Sequence, residues 1–345
     1  MKTILVTGGA GFIGSAFVRE LVLRQPETNF VVLDRLTYAG NLNNLLAVSD
    51  EPNYHFVRGD IADEAVVQQT LATYEVDIVV NFAAESHVDR SILAPGAFIQ
   101  TDVVGVYALL EASLAAGIER FVQVSTDEVY GDVAEGCSTE DDAFLPNSPY
   151  SASKAGGELL VRAYHVTHGL DCVITRGSNT YGPYQYPEKL LPFFTTEAMD
   201  GRPLPLYGDG LQVRDWLHVE DHVRGIQTVM ESGASGEAYN ITAEQLHTNR
   251  EVTQLILRTL GRPADLIRHV PDREGHDRRY AMDGRKLHDL GWRPQHVFAG
   301  DGCAATVRWY AENEWWWRPL KSGEFKQYYQ EQYAARLAAA QPPGS

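Results

Sequence analysis

The sequence predicts an α/β fold: a doubly wound parallel sheet with helices on both faces, followed by a smaller α/β region. Three observations carry that expectation. Short β-rich runs alternate with amphipathic stretches through the first half of the chain. A glycine-rich turn, TGGAGFIG, joins the first of these runs to the first helical stretch. After Asn179 the texture changes to segments rich in Pro, Gly and Tyr, such as YGPYQYPEKLLP and GRPLPLYGDG. At 345 residues and 44% apolar, the chain is long enough for one large or two moderate domains with a packed core.

The strands are expected at TILVTGG, FVVLD, YHFVRGD, DIVVNFAA, RFVQVS and DCVITRGSN. Ligands of such a sheet bind at the carboxyl ends of its strands. At the first end, Gly8, Gly11 and Gly14 permit a tight turn, close approach of a pyrophosphate and close helix–strand packing, and the helix N-terminus offers amide donors. The second ends at Asp34, twenty residues after Gly14, where an acid accepts hydrogen bonds from a ribose 2′-hydroxyl. That acid repels a 2′-phosphate and favours NAD over NADP, although Arg35 follows it directly. Phe12, Ile13, Thr37, Asp60, Ile61, Ala83 and Ala84 complete the candidate cofactor contacts, and together they mark a Rossmann-type domain.

The fifth run stops at VSTDEVYGD, where Asp127 and Glu128 stand side by side at the end of a buried strand. NSPYSASKAGGELLVRAYH reads as a helix with Ser148 as N-cap, Pro149 in first position and an apolar face through Ala152, Ala155, Leu159 and Leu160. Tyr150 and Lys154, four apart, share a face of it, and an ammonium beside a phenol favours the phenolate needed for proton abstraction. Further on, HVEDHVRGIQTVMES is expected as a helix, EAYNIT as a strand returning to the first sheet, and Asn249 to Leu260 as another helix. Trp315, Trp316 and Trp317 are read as packing aromatics, and the Ala-rich end AARLAAAQPPGS as frayed.

Composition excludes several classes. A net charge of −17 argues against nucleic-acid binding. The apolar runs are too short for a bilayer span, and MKTILVTGG has no signal-peptide pattern, so a cytoplasmic protein is expected. Cys137, Cys172 and Cys303 have neither disulfide nor zinc spacing, and no metal is expected. One segment departs from the acidic trend: Arg262 to Arg293 holds eight Lys/Arg against six Asp/Glu, suited either to an ordinary mixed surface or to an anionic ligand.

Taken together, TGGAGFIG, FAAESHVDRS, VSTDEVYGD, SPYSASK, ITRGSNTYGPYQYPEKLLP, LYGDGLQVRDWLHVEDH and GHDRRYAMD resemble the extended short-chain dehydrogenase/reductases that act on nucleotide sugars, in particular the dTDP-glucose 4,6-dehydratases. The resemblance covers nearly the whole chain. It implies C4 oxidation of the sugar by tightly held NAD, loss of water across C5 and C6, and return of the same hydride to C6. Asp127 would protonate the departing C6 hydroxyl, Glu128 would take the C5 proton, Tyr150 the C4 hydroxyl proton, and Thr126 would bond the C4 oxygen. Lys154 would lower the Tyr150 pKa and hold the nicotinamide ribose.

The resemblance also implies a nucleotide-sugar site at Ser86, His87, Thr126, Asn179, Glu188, Lys189, Leu190, Tyr207, Arg214, Asn249, Arg273 and His276. Arg278 and Arg279 suit either this site or bridging between domains. The implied division is an NAD-binding domain over 1–178, with a returning segment at about 217–242, and a nucleotide-sugar-binding domain over 179–345 interleaved with it. A homodimer through helices at 95–116 and 149–168 is implied as well, and Gly105, Ala112, Ala155 and Gly156 are compatible with close helix packing. Gly177 and Thr180 depart from the family pattern, as does the QLHTN stretch. Those departures leave UDP-glucose or another nucleotide sugar open as substrate. A 4-epimerase of the same fold is the rival reading but has no need of an acid pair at C5 and C6; a non-catalytic NAD sensor would have no use for the four catalytic residues together.

Overall fold

A computed structural model describes residues 1–329, 332–333, 335–338 and 340. Of the Ala-rich end expected to fray, 334, 339 and 341–345 lie outside the described residues. The six apolar runs form β1 (Lys2–Thr7), β2 (Thr28–Asp34), β3 (Tyr54–Arg58), β4 (Ile78–Asn81), β5 (Arg120–Thr126) and β6 (Cys172–Gly177). Later strands are β7 (Asn179–Tyr181), β8 (Leu204–Tyr207), β9 (Val213–His218), β10 (Ala238–Ile241), β11 (Leu246–Thr248) and β12 (Ile267–Val270).

The main sheet has the order β10-β6-β5-β4-β1-β2-β3 and is parallel throughout. The expected α/β doubly wound sheet is present, and EAYNIT returns to it as β10 at the edge beside β6. Its strands are apolar on both faces because helices cover both. Ile4, Val6 and Val32 face one layer, with Phe17 and Leu21 of helix Phe12–Arg24 and Val223 and Ile226 of helix Val219–Ser232. Leu5, Val31 and Val79 face the other, with Leu109 of helix Val106–Ala116 and Val161 of helix Pro149–His168. Strand order reverses between β1 and β4, which opens a crevice at the carboxyl ends.

A second layer of structure closes over that crevice. β7, β9 and β11 form one small sheet, β8 and β12 another, and helices Leu190–Met199, Asn249–Leu260 and Cys303–Glu312 pack with them around Phe193, Leu206, Trp216, Ile256 and Phe298. Trp316 and Trp317 are buried and donate their indole N–H groups to Asn44 Oδ1 (2.8 Å) and Tyr310 O (2.8 Å); Trp315 is exposed. The 22-residue helical segment Pro95–Ala116 is long and apolar enough to cross a bilayer by length alone, which the sequence reading did not anticipate. More than half of its apolar window is buried in the fold, beside helix Pro149–His168.

One expected face is half right: Ala155 is buried and Leu160 packs partly buried against the core, but the other two members are not inward. In helix Pro149–His168 the buried side runs through Ser151, Lys154, Ala155, Glu158 and Val161, while Ala152 and Leu159 point outward. Much of the inward side is occupied by polar groups with specific partners, so hydrophobicity alone placed two of the four residues wrongly. The close helix approach also falls one residue after Gly156: a Cβ on Gly157 would lie 2.3 Å from Asp102 O.

Candidate active site

β5 ends at Thr126, in register with Gly177 of β6, and the chain turns through one short helical turn, Asp127–Tyr130. Thr126 caps that turn by accepting from Glu128 N (3.3 Å). The cap fixes both carboxyls at the strand end. Asp127 is 4% exposed; its Oδ1 accepts from Thr126 Oγ1 (3.1 Å), while Oδ2 is buried with no partner among the described residues. Burial first, and the adjacent Glu128 second, push the Asp127 carboxyl up to about 8. Burial also raises Glu128, but Arg273, Lys189 and Arg214 act on it in the opposite sense. Burial thus raises both acids, but three cations oppose it at Glu128, whereas at Asp127 the neighbouring carboxylate adds to it; that asymmetry suits Asp127 to be the acid and Glu128 the base.

Tyr150 and Lys154 reach the same place from helix Pro149–His168. Its start is set by a capping box, Ser148 Oγ accepting from Ser151 N (3.1 Å) and Ser151 Oγ from Ser148 N (3.0 Å), with Pro149 in first position. Lys154 Nζ donates to Val124 O (2.9 Å). The expected lowering of the Tyr150 phenol is not what the protein alone produces. Burial, then Glu128 and Asp102, raise it, and a hydrogen bond with Thr126 opposes them. Asp102 escaped the sequence reading. It accepts from Ser153 Oγ (2.6 Å) and from Glu85 N (3.1 Å), and burial pushes it up to about 6 against the pull of Lys154. Nothing local marks it, since it faces Lys154 only once two helices pack.

The cofactor half of the cleft fits a dinucleotide. Gly8 has φ +66°, and a Cβ there would lie 2.6 Å from Ala83 N; one on Gly14 would lie 2.5 Å from Gly8 O. No side chain caps the helix that starts after Gly11, so its first amides stay open to a pyrophosphate. Asp34 is braced by Ala10 N (2.9 Å) and Leu36 N (2.7 Å). Arg35 is engaged by Asp60 (2.7 Å) and Glu85 (3.1 Å), so it is not held ready for a 2′-phosphate.

Every candidate cofactor residue from Gly8 to Ala84 borders one continuous cleft with Tyr150, Lys154 and the Thr126–Glu128 turn, and so do Ser86, Asn179, Glu188, Lys189 and Leu190. The remaining candidates stand outside its wall. His87 is buried with Nε2 3.4 Å from Glu188 O. Arg273 Nη1 pairs with Asp89 (2.8 Å), which also accepts from Tyr207 Oη (3.1 Å), and the buried Arg273 Nε has no partner among the described residues. His276 Nδ1 meets Asp272 at 2.6 Å. Arg214 donates to Asp277 O (2.9 Å) and lies over the Tyr280 ring, and Asn249 opens a helix with its amide on Gln212 O (3.0 Å). Arg278 pairs with Asp209 at the surface (2.8 Å), and Arg279 donates to Val133 O (2.9 Å), geometries of bridging between segments. Asp89 and Arg90, which pairs with Glu188 at 3.1 Å, were missed because their partners lie about a hundred residues or more away.

A family model described as GDP-mannose 4,6 dehydratase matches residues 5–301. A dTDP-glucose 4,6-dehydratase of Streptomyces niveus is 51% identical over 324 residues, covering 92% of this chain and 96% of that protein. The solved structure of the dTDP-glucose 4,6-dehydratase DesIV of Streptomyces venezuelae, with NAD bound, superposes with a TM-score of 0.90 at 53% identity, covering 92% of this chain and 100% of that one. A UDP-glucose 4-epimerase of Thermus thermophilus in complex with NAD superposes with a TM-score of 0.84 at 32% identity, covering 90% and 99%.

Proposed function

This chain belongs to the GDP-mannose 4,6 dehydratase family and is a relative of the dTDP-glucose 4,6-dehydratases at about half identity, and on that premise we propose that it is an NAD-dependent hydro-lyase converting dTDP-glucose to dTDP-4-keto-6-deoxyglucose. One observation carries the reading: a buried, proton-holding Asp127 next to Glu128, bordering one dinucleotide cleft together with Tyr150 and Lys154.

When bound, NAD supplies the acceptor for hydride from C4, the donor of hydride to C6, and the positive charge of its oxidised ring. Tyr150 takes the proton of the C4 hydroxyl while Thr126 bonds the C4 oxygen. The resulting 4-keto group acidifies C5–H, and Glu128 removes that proton. Asp127 gives its proton to the C6 hydroxyl, which leaves as water, so the pair acts on two adjacent carbons. Lys154 orients the nicotinamide ribose, with one of its three donors already engaged by Val124 O. Arg273 and Lys189 oppose the burial that raises Glu128, and the Arg273 Nε, without a partner among the described residues, is a donor suited to the substrate's diphosphate. Tyr207, Arg214, Asn249 and His276 hold the nucleoside end in this reading.

The NAD-binding part comprises 1–178 with the returning segment at about 217–242, and 179–345 supplies the nucleotide-sugar part. The protein works as a homodimer, supported by the outward apolar side chains Val104, Tyr107, Leu159 and Val166 on neighbouring helices. The use of NAD and three unbridged cysteines support a cytoplasmic setting. The purified protein, offered dTDP-glucose, UDP-glucose and other nucleoside-diphosphate glucoses without added reductant, is expected to turn the first into a 4-keto-6-deoxy sugar fastest. Recovery of every sugar unchanged by protein that holds NAD contradicts the proposal.

A further inference from the structure

At the end of β6 the cleft contains an imidazole that the mechanism above leaves unused. His222, on helix Val219–Ser232, is 2% exposed and borders the cleft together with Gly177, Ser178 and Thr180. Its ring occupies the space a side chain at 177 would need: a Cβ on Gly177 would lie 2.4 Å from His222 Cε1 and 2.5 Å from Nε2. Glycine at 177 is therefore what lets the ring lie against the strand end. On its other side, His222 Nδ1 is 2.8 Å from Thr180 Oγ1. Thr180 directs its single hydroxyl proton to Ser178 O (3.1 Å), so it accepts from His222 Nδ1–H. Burial holds this imidazole neutral, down to about 3. Its Nε2 is thereby a bare lone pair, buried and without a partner among the described residues. An unmet acceptor in such a place calls for an N–H donor.

The fold says which ligand passes there. Gly177 is in register with Thr126, so this point lies at the reacting end of the cleft. Tyr150 and Lys154 enter from the layer of helix Pro149–His168, whereas His222 enters from the opposite layer, shared with helix Phe12–Arg24 and its glycine turn. The sugar's place is beside Tyr150; the side of the glycine turn is the cofactor's. We propose that His222 Nε2 accepts a hydrogen bond from the amide N–H of the nicotinamide carboxamide, with Gly177 and Thr180 fixing its position and tautomer. This rests on the reading of the cleft as an NAD site and adds to it a residue that positions the nicotinamide.

The test is competitive exchange on the intact holoenzyme. Protein is equilibrated with equal free NAD and its 3-acetylpyridine analogue, whose methyl ketone has no N–H, and the bound dinucleotides are released and quantified. The wild type is expected to retain NAD preferentially, and His222→Phe to reduce that preference by about three- to tenfold, the range of one neutral hydrogen bond. His222→Gln, with a carbonyl acceptor, should restore part of it, and Thr180→Val should erode it in folded protein. Equal bound ratios in wild type and His222→Phe overturn the proposal while leaving the NAD site standing. Failure of the wild type to hold either dinucleotide overturns both.

Discussion

Asp127 is the residue whose chemistry and cost are most directly linked. Its carboxyl, ordinarily near 3.8, stands at about 8 in the folded protein, so folding takes up a proton across that window. Stability contributed at this position is therefore full below about pH 4 and is lost as pH rises toward about 8. Asp127→Asn removes the titration. We expect this variant to be more stable than wild type at pH 8 by about 0.5–2 kcal/mol, with the advantage fading toward pH 4, read from urea unfolding at several pH values. The same substitution removes the proton donor, so turnover should fall by about 10²–10⁴. In the wild type turnover should decline on the alkaline side as Asp127 loses its proton near pH 8. A variant no more stable at pH 8 than at pH 4, relative to wild type, contradicts the assignment of that proton.

Among the elements, helix Pro149–His168 has two demanding faces. Its inward side carries Lys154 and the Glu158–Arg176 ion pair, and its outward side leaves Leu159 at 54% and Val166 at 67% exposed. They lie seven residues apart, on one side of the helix, and the helical segment packed against it exposes Tyr107 and Val104. On the proposed homodimer, the wild type is expected to sediment as a dimer and a Leu159→Glu, Val166→Glu variant as a monomer; identical sedimentation of the two excludes this face as the contact. The sequence made the strands and the existence of this helix legible, since apolar runs between turns and the Ser148–Pro149 start are local signals. It placed Ala155 and Leu160 inward correctly but misled about Ala152 and Leu159, because polar residues were buried on that helix by partners elsewhere in the chain. Asp102, Asp89 and His222 were illegible for the same reason: each is an ordinary polar residue until packing supplies Ser153, Arg273 or Gly177.

Across the whole molecule, the parallel sheet brings strand ends from Gly8 to Gly177 into one cleft, and the later segments contribute Glu188 and Lys189 to its wall, with Arg273 acting on Glu128 from outside it. A 4-epimerase shares this architecture at a TM-score of 0.84, so the fold does not by itself choose the reaction. In the proposed mechanism the choice rests on Asp127 and Glu128 dividing the elimination of water between two adjacent carbons. Turnover of dTDP-glucose in deuterium oxide, followed at C5 by NMR, reads that division. Wild type should release keto sugar labelled at C5, whereas Glu128→Gln, folded and holding NAD, should release about 10²–10⁴-fold less and return its substrate unlabelled at C5. Labelled product from Glu128→Gln at a rate within a few-fold of wild type would contradict the account.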